Sequence, residues 1–135
     1  MSLPDIYTGL AAQFTPIIPR SYGYVPNSID PPTLFFNLTD ASPSTMGRGW
    51  MTLEFDGFLL VSSADDRAGQ LSLSQFISPT GDLSVWTTFG DNNDLDLTDG
   101  TRASMLRYRS LSIEELAAYP YYGGVLEFRV TTPGV

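Results

Sequence analysis

Carboxylates and hydroxyls are the side chains of this 135-residue chain that could do chemistry, because it contains no histidine, cysteine or lysine. Ser–His and Ser–Lys catalysis is excluded, since no such base can activate a serine. Thiol catalysis, disulfides and cysteine-ligated zinc are excluded with the cysteines. No glycine-rich stretch has the strand–loop–helix context of a phosphate loop. Paired carboxylates are the remaining candidates.

Two acidic groups favour structural interpretations. Asp65 and Asp66 follow Ser63 with the spacing of a capping-box variant, so we interpret them as helix-start residues that face the positive end of the helix dipole, with an acid pair as the alternative. The run DNNDLDLTDG at 91–100 suggests a calcium loop, but it lacks the required central glycine and the glutamate at position twelve. We interpret it as a solvated acidic loop.

Four other carboxylates leave a glycoside hydrolase formally open, since such enzymes use two Asp or Glu side chains. They are Glu54, Asp56, Glu114 and Glu115. However, the small chain has no pattern that indicates an aromatic-lined cleft of the kind that binds a substrate. We therefore expect no enzymatic activity, no cofactor and no metal.

Charge and composition narrow the classes of partner. Fifteen acidic residues against seven arginines give a net charge of −8, which opposes binding to a phosphate backbone. The 42% apolar content is enough for one small core, which argues against disorder. The first 18 residues have no basic region and are interrupted by Pro4 and Pro16, so they predict neither a signal peptide nor a membrane span. We expect a soluble protein.

The elements that must position these residues follow from periodicity and from breaker residues. We predict helices over Leu3–Thr15 and Ala64–Ile77, one or two further helical turns around Leu83–Phe89, and a short capped helix in SIEELAAYP (112–120). The predicted strands are Tyr22–Val25, Thr33–Asp40, Trp50–Val61 with a bulge at Gly57, Thr101–Ser110 and Gly124–Thr132. Loops are predicted at 41–49 and 91–100, and a turn at YYGG (121–124).

Helices and strands come in an order without a βαβ series or an internal repeat. This order predicts a single α+β domain over residues 1–135, with a mainly antiparallel four- to five-stranded sheet flanked by two helices. In the strand that follows the 41–49 loop, one row of residues should lie on the opposite face from the other: Trp50, Thr52, Glu54 and Asp56 against Met51, Leu53 and Phe55.

Arginine and aromatic residues around the first long loop are candidates for a protein interface, where both types are favoured. Arg48, between two glycines, can engage partner carboxylates through its planar fork. The alternatives are a solvated loop arginine, core packing of the tyrosines, and local pairing of the helix-start residues. The candidate interface residues are Tyr22, Tyr24, Met46, Arg48, Trp50, Asp65, Asp66 and Arg67.

Three stretches occur in an order and spacing that are typical of one family. They are YGYVPNSIDPP (22–32), TMGRGWMTLEFDGFLLVSSADDRAGQ (45–70) and SQFISPTGDLSVWTTF (74–89), followed more loosely by YYGGVLEFRV (121–130). Together they resemble the tail terminator proteins of long-tailed (siphovirus) phages that infect actinobacteria. In that family, an N-terminal helix leads to a YxYVPD-like strand, a strand pair around an MxRGxD-like loop, and an ADDR-containing helix start.

The resemblance implies a structural virion protein that assembles as a ring, typically a hexamer, on the completed tail tube. It implies three protein partners: further copies of itself, the major tail tube protein and the head-side connector or closure protein. DNA would only pass through the lumen, which a net negative lining would keep from adhering. It further implies a location in the tail or neck of the virion, after assembly in the host cytoplasm, and no membrane partner.

Three alternatives remain beside the tail terminator. A neck or head-closure protein of the same virion would share its architecture. A small carboxylate-based glycoside hydrolase and a generic acidic ligand-binding module are the alternatives from other classes. For a terminator, we expect the sheet to face a neighbouring subunit or the channel.

Overall fold

A computed structural model shows an α+β fold, and within the residues that it describes a five-stranded mixed sheet is flanked by three short helices. The structure describes residues 3–18, 20–23, 32–43, 49–63, 74–90, 93–95, 97, 100–110 and 121–133. The helices are α1 (Leu3–Phe14), α2 (74–77) and α3 (Val85–Phe89). The strands are β1 (Arg20–Tyr22), β2 (Thr33–Pro43), β3 (Met51–Ser63), β4 (Arg102–Ser110) and β5 (Tyr121–Thr132).

Helix α1 forms as predicted and ends one residue earlier, at Phe14. Ile6, Leu10 and Phe14 recur at four-residue spacing and are fully buried, so one face of the helix lies in the core. The carbonyl of Phe14 accepts hydrogen bonds from the backbone amides of Ile17 and Ile18, at 3.1 and 2.7 Å. None of the helices in the described part of the chain is long and apolar enough to cross a bilayer.

The sheet confirms the predicted mainly antiparallel arrangement. Its strand order is β1-β2-β3-β5-β4, and the pairs β2–β3, β3–β5 and β4–β5 are antiparallel. Strand β1 is the exception, because it pairs in parallel with β2 and lies earlier than the predicted Tyr22–Val25. The predicted alternation in β3 is confirmed, with Leu53 and Phe55 buried and Glu54 half-buried.

The core lies on one face of the sheet and contains four phenylalanines in ring contact. Phe14 of α1 stacks on Phe89 of α3, with ring centroids 5.5 Å apart. Both rings also meet Phe128 of β5 edge-on, at 5.9 and 5.2 Å. Phe36 of β2 completes the group, at 5.5 Å from Phe128. One aromatic cluster therefore joins two helices to two strands.

Gly57 does not form the predicted bulge, since it pairs in register with Phe36 of β2 and Leu126 of β5. A Cβ at Gly57 would lie 3.0 Å from the ring of Phe128 and 3.1 Å from the ring of Phe36. The glycine leaves room for two core rings. The register shifts occur elsewhere, at Leu38/Asp40, Leu60/Ser62 and Met105/Arg107.

The predicted YYGG turn is also wrong, because strand β5 begins at Tyr121 and these residues pair with β3 and β4. A Cβ at Gly123 would collide with the backbone of Leu59, and one at Gly124 would collide with the ring of Tyr108. The two glycines therefore permit close approach inside a sheet and do not form a turn.

The predicted acidic loop at 91–100 contributes to the core at its centre. Leu95 is 1% exposed and has a positive φ of 55°. Its amide donates to Oδ1 of Asn93 at 2.7 Å, and Asn93 forms a two-way backbone bridge with Ala103. A purely solvated loop is therefore the wrong description of this segment.

The short helix α3 is confirmed and begins after Ser84, whose side chain accepts from the amide of Thr87 at 3.2 Å. Residues 74–77 are helical, as the end of the predicted Ala64–Ile77 helix requires. The earlier part of that helix, the centre of the 41–49 loop and the predicted helix at 112–120 lie outside the described residues.

We predict that Phe14→Ala lowers the free energy of unfolding by about 3–5 kcal/mol, because it removes a fully buried ring that contacts three others. Phe58→Ala is the matched control, since Phe58 is half-buried on the opposite face of the sheet and should cost no more than about half as much. Denaturant titration followed by circular dichroism measures both.

The milder Phe14→Leu keeps the comparison possible if Phe14→Ala does not fold, and should cost about 1–2 kcal/mol. Equal losses at the two phenylalanines would contradict a core anchored on Phe14.

Candidate interaction surface

The face of the sheet opposite the helices, called here the outer face, is the candidate functional surface. All buried helix side chains that the structure describes belong to the core cluster on the inner face. The outer face carries the other residues of each strand, since successive side chains alternate. In the described part of the chain, it is formed by strand residues together with Trp50 and Gly100, which lie just before β3 and β4.

In the described part of the chain, the outer face carries five arginines and four acidic residues, which are Asp40, Glu54, Asp56 and Glu127. The arginines are Arg20, Arg102, Arg107, Arg109 and Arg129. Every described arginine therefore lies on this face, whereas the described residues elsewhere include Asp5, Asp82 and Asp94 and no arginine. An acidic molecule meets less repulsion at these arginines than at the described acidic residues elsewhere.

Four of these charged side chains form a connected network across three strands. Glu127 accepts from Nε of Arg107 at 3.1 Å and pairs with Nε of Arg109 at 3.3 Å. Arg109 also reaches Asp56 on β3, at 3.4 Å. Antiparallel register causes this, because Asp56 and Glu127 lie opposite each other and Glu127 lies opposite Arg107.

A separate pair lies further along the outer face, where Nη2 of Arg129 is 3.3 Å from Oε1 of Glu54. Both side chains are about half exposed, at 53% and 40%, so water screens their attraction. Glu54 and Asp56 therefore lie in ion pairs on an exposed sheet face.

One end of the outer face is apolar. Phe35, Leu60 and Val125 are buried there, and Phe58 stacks on Phe35 with ring centroids 5.2 Å apart. Tyr22 packs against this cluster and also borders a groove of about 560 Å³ beside α1. The sequence-predicted residue Tyr22 thus lies at the apolar end.

The opposite end of the outer face holds a pocket of about 370 Å³ that includes Trp50. Trp50 and Tyr22 are therefore not brought together. Tyr22 packs in the cluster that includes Phe58 and Leu60. These two residues follow Trp50 by eight and ten positions, which corresponds to roughly 26 Å or more along an extended strand. The remaining predicted interface residues lie outside the described residues: Tyr24, Met46, Arg48, Asp65, Asp66 and Arg67.

Sequence reasoning missed the arginines of β4 and β5. Arg107 and Arg109 alternate within one strand, which was a visible signal that they share a face. Their meeting with Glu127 and Asp56 depends on the strand order, in which β5 lies between β3 and β4. That order is not visible in the sequence.

No cluster of three or more acidic side chains that could hold a metal ion occurs among the described residues. Neither the protein-family models nor the curated proteins include a match to this chain.

We predict that Glu127→Gln lowers the free energy of unfolding by about 1 kcal/mol, because this carboxylate joins two arginines and is only 23% exposed. Glu54→Gln removes a single, more exposed pair and should cost about 0.2–0.5 kcal/mol. Urea titrations at low salt and at about 1 M salt measure the difference, which screening should reduce. A larger loss for Glu54→Gln would contradict the network.

Proposed function

We propose that this chain is a structural protein of a tailed-phage virion, a tail terminator that forms a ring on the tail tube. The ring, a hexamer by resemblance, stops polymerisation of the tube and joins the tail to the head connector. The sequence resemblance over Ser21–Phe89 supports the family, and the outer face of the sheet is the physical observation that carries a role in assembly. The protein acts in the virion neck, after assembly in the host cytoplasm.

A charged but internally paired sheet face suits contacts between protein subunits. Its arginines and carboxylates already form ion pairs at 3.1–3.4 Å, so a partner can exchange these pairs for intermolecular ones without leaving an isolated charge. Complementary charges fix the register of two subunits more than they add affinity. Register is what a closed ring of identical contacts requires.

The charge of the described residues outside the outer face supports passage of DNA and not its capture. Three of these residues are acidic, Asp5, Asp82 and Asp94, and none is an arginine. A lumen lined by such a surface repels phosphate groups, which keeps DNA from adhering. The tail tube protein and the head-side closure protein remain its proposed partners on the two sides of the ring.

We predict the phenotype of a phage in which an amber codon replaces the codon for Tyr7 of this chain. It should assemble tails of variable and excessive length that fail to join full heads. The physical reason is that nothing caps the growing tube. Electron microscopy of lysates from a non-suppressing host measures the tail lengths, and a suppressing host that inserts tyrosine is the matched control.

Two other outcomes have distinct meanings. Tails of normal, uniform length that remain unjoined to heads would favour the neck or head-closure protein. Normal tails joined to full heads would contradict a virion role altogether, and saturable glycoside hydrolysis that Glu54→Gln abolishes would then favour the enzyme.

A further inference from the structure

The pocket at the Trp50 end of the outer face contains residue types that anchor protein-binding hot spots. It combines an indole ring, two guanidinium groups, two hydroxyls and an exposed leucine in about 370 Å³. Trp and Arg, which supply the first three of these groups, are among the residues most enriched where a few side chains dominate binding energy. The side chains that line the pocket are Trp50, Arg102, Ser104, Leu106, Arg129 and Thr131.

Strand register brings the polar members of the pocket together. Arg102 lies opposite Thr131, and Ser104 lies opposite Arg129, on the neighbouring strands β4 and β5. Ala103 lies between the two β4 residues and is fully buried, which places Arg102 and Ser104 on the outer face. Two arginines on adjacent strands thus border one concave site.

The apolar walls depend on two irregular features of the backbone. Gly100 has a φ of +93°, and a Cβ there would lie 3.4 Å from Cη2 of Trp50, so the edge of the indole lies against the glycine. The register shift between Met105 and Arg107 leaves Leu106 43% exposed. An exposed leucine beside an indole provides an apolar contact surface next to the arginines.

The guanidinium groups retain binding capacity. Arg102 donates to the carbonyl of Thr101 at 2.7 Å, and Arg129 donates to Glu54 at 3.3 Å. A guanidinium has five N–H donors, so these bonds use only part of the capacity of each. Its planar fork matches a carboxylate, with which it forms paired, charge-assisted hydrogen bonds.

We propose that this pocket is a docking site for an acidic segment of a partner protein, in which a carboxylate binds Arg102 and Arg129 and a neighbouring apolar side chain packs on Trp50 and Leu106. Charge complementarity selects this occupant, because the described lining of the pocket contains two arginines and no acidic residue. A polyanionic nucleic acid would meet the net charge of −8 around it. The proposal depends on the pocket alone and not on the tail assignment.

The two tryptophans make the test internally controlled. Trp50 borders the pocket, whereas the indole of Trp86 donates to the carbonyl of Ile77 in the helical layer on the other side of the sheet. A nitrogen–proton correlation spectrum resolves the two indole N–H groups, and Trp50→Phe assigns them. The probe is the capped tetrapeptide Asp-Leu-Asp-Leu, and the matched control probe is Asn-Leu-Asn-Leu.

We expect the acidic peptide to shift the Trp50 indole signal with half-saturation below about 1 mM, while the Trp86 signal stays in place. Arg102→Gln and Arg129→Gln should each weaken binding at least about tenfold, which corresponds to about 1.4 kcal/mol. Arg20→Gln is the control variant, because it removes an arginine of the same face on β1, at the far edge of the sheet and outside the pocket, and should leave binding unchanged.

Several results would overturn the proposal. The uncharged peptide would bind as well as the acidic one, or half-saturation by the acidic peptide would lie above about 10 mM. Arg102→Gln and Arg129→Gln would leave binding unchanged in variants that keep their circular dichroism spectrum. Inorganic phosphate or oligothymidylate would bind more tightly than the acidic peptide. A Trp50 shift that appears when the protein alone is concentrated, and that Arg102→Gln removes, would support the proposal with a second copy of this chain as the partner.

Discussion

The contact of Phe14 with Phe36, Phe89 and Phe128 is the interaction on which the rest of the structure depends. These rings come from α1, β2, α3 and β5, so their packing defines where both helices lie on the sheet. Large aromatic rings dominate the energetics of a core because each buries a large apolar area. Gly57 is part of the same packing, because the absence of a side chain there leaves space for two of the rings.

The position of the helices has a direct consequence for function. Because the described helices pack on the inner face, the outer face of β3, β4 and β5 carries charged side chains beyond its apolar end at Leu60 and Val125. These charges pair across strands and cost little when water reaches them. An exposed salt-bridge network adds little to stability. Its value lies in the specificity with which such a face can be recognised by a partner that offers complementary charges.

Irregular positions of the strands supply the remaining features of the surface. The register shift in β4 exposes Leu106, and the positive φ of Gly100 leads the chain into β4 beside Trp50. Close-packed glycines have the opposite role in β5, where Gly123 permits the backbone of β3 to approach. Each of these positions departs from ideal strand geometry, and the Leu106 and Gly100 departures shape the pocket.

The sequence by itself determined helices α1 and α3, most strand positions, the alternation in β3 and the α+β class, because these depend on local spacing of apolar residues and on proline and glycine breakers. Only the tertiary structure decided the roles of Gly57, Gly123 and Leu95, since each depends on atoms distant in the chain that occupy or leave the space beside it. The arginine network and the Trp50 pocket depend in the same way on strand order and register. Pairing between distant strands is a property of the whole packed sheet, so no local pattern specifies which charges will meet.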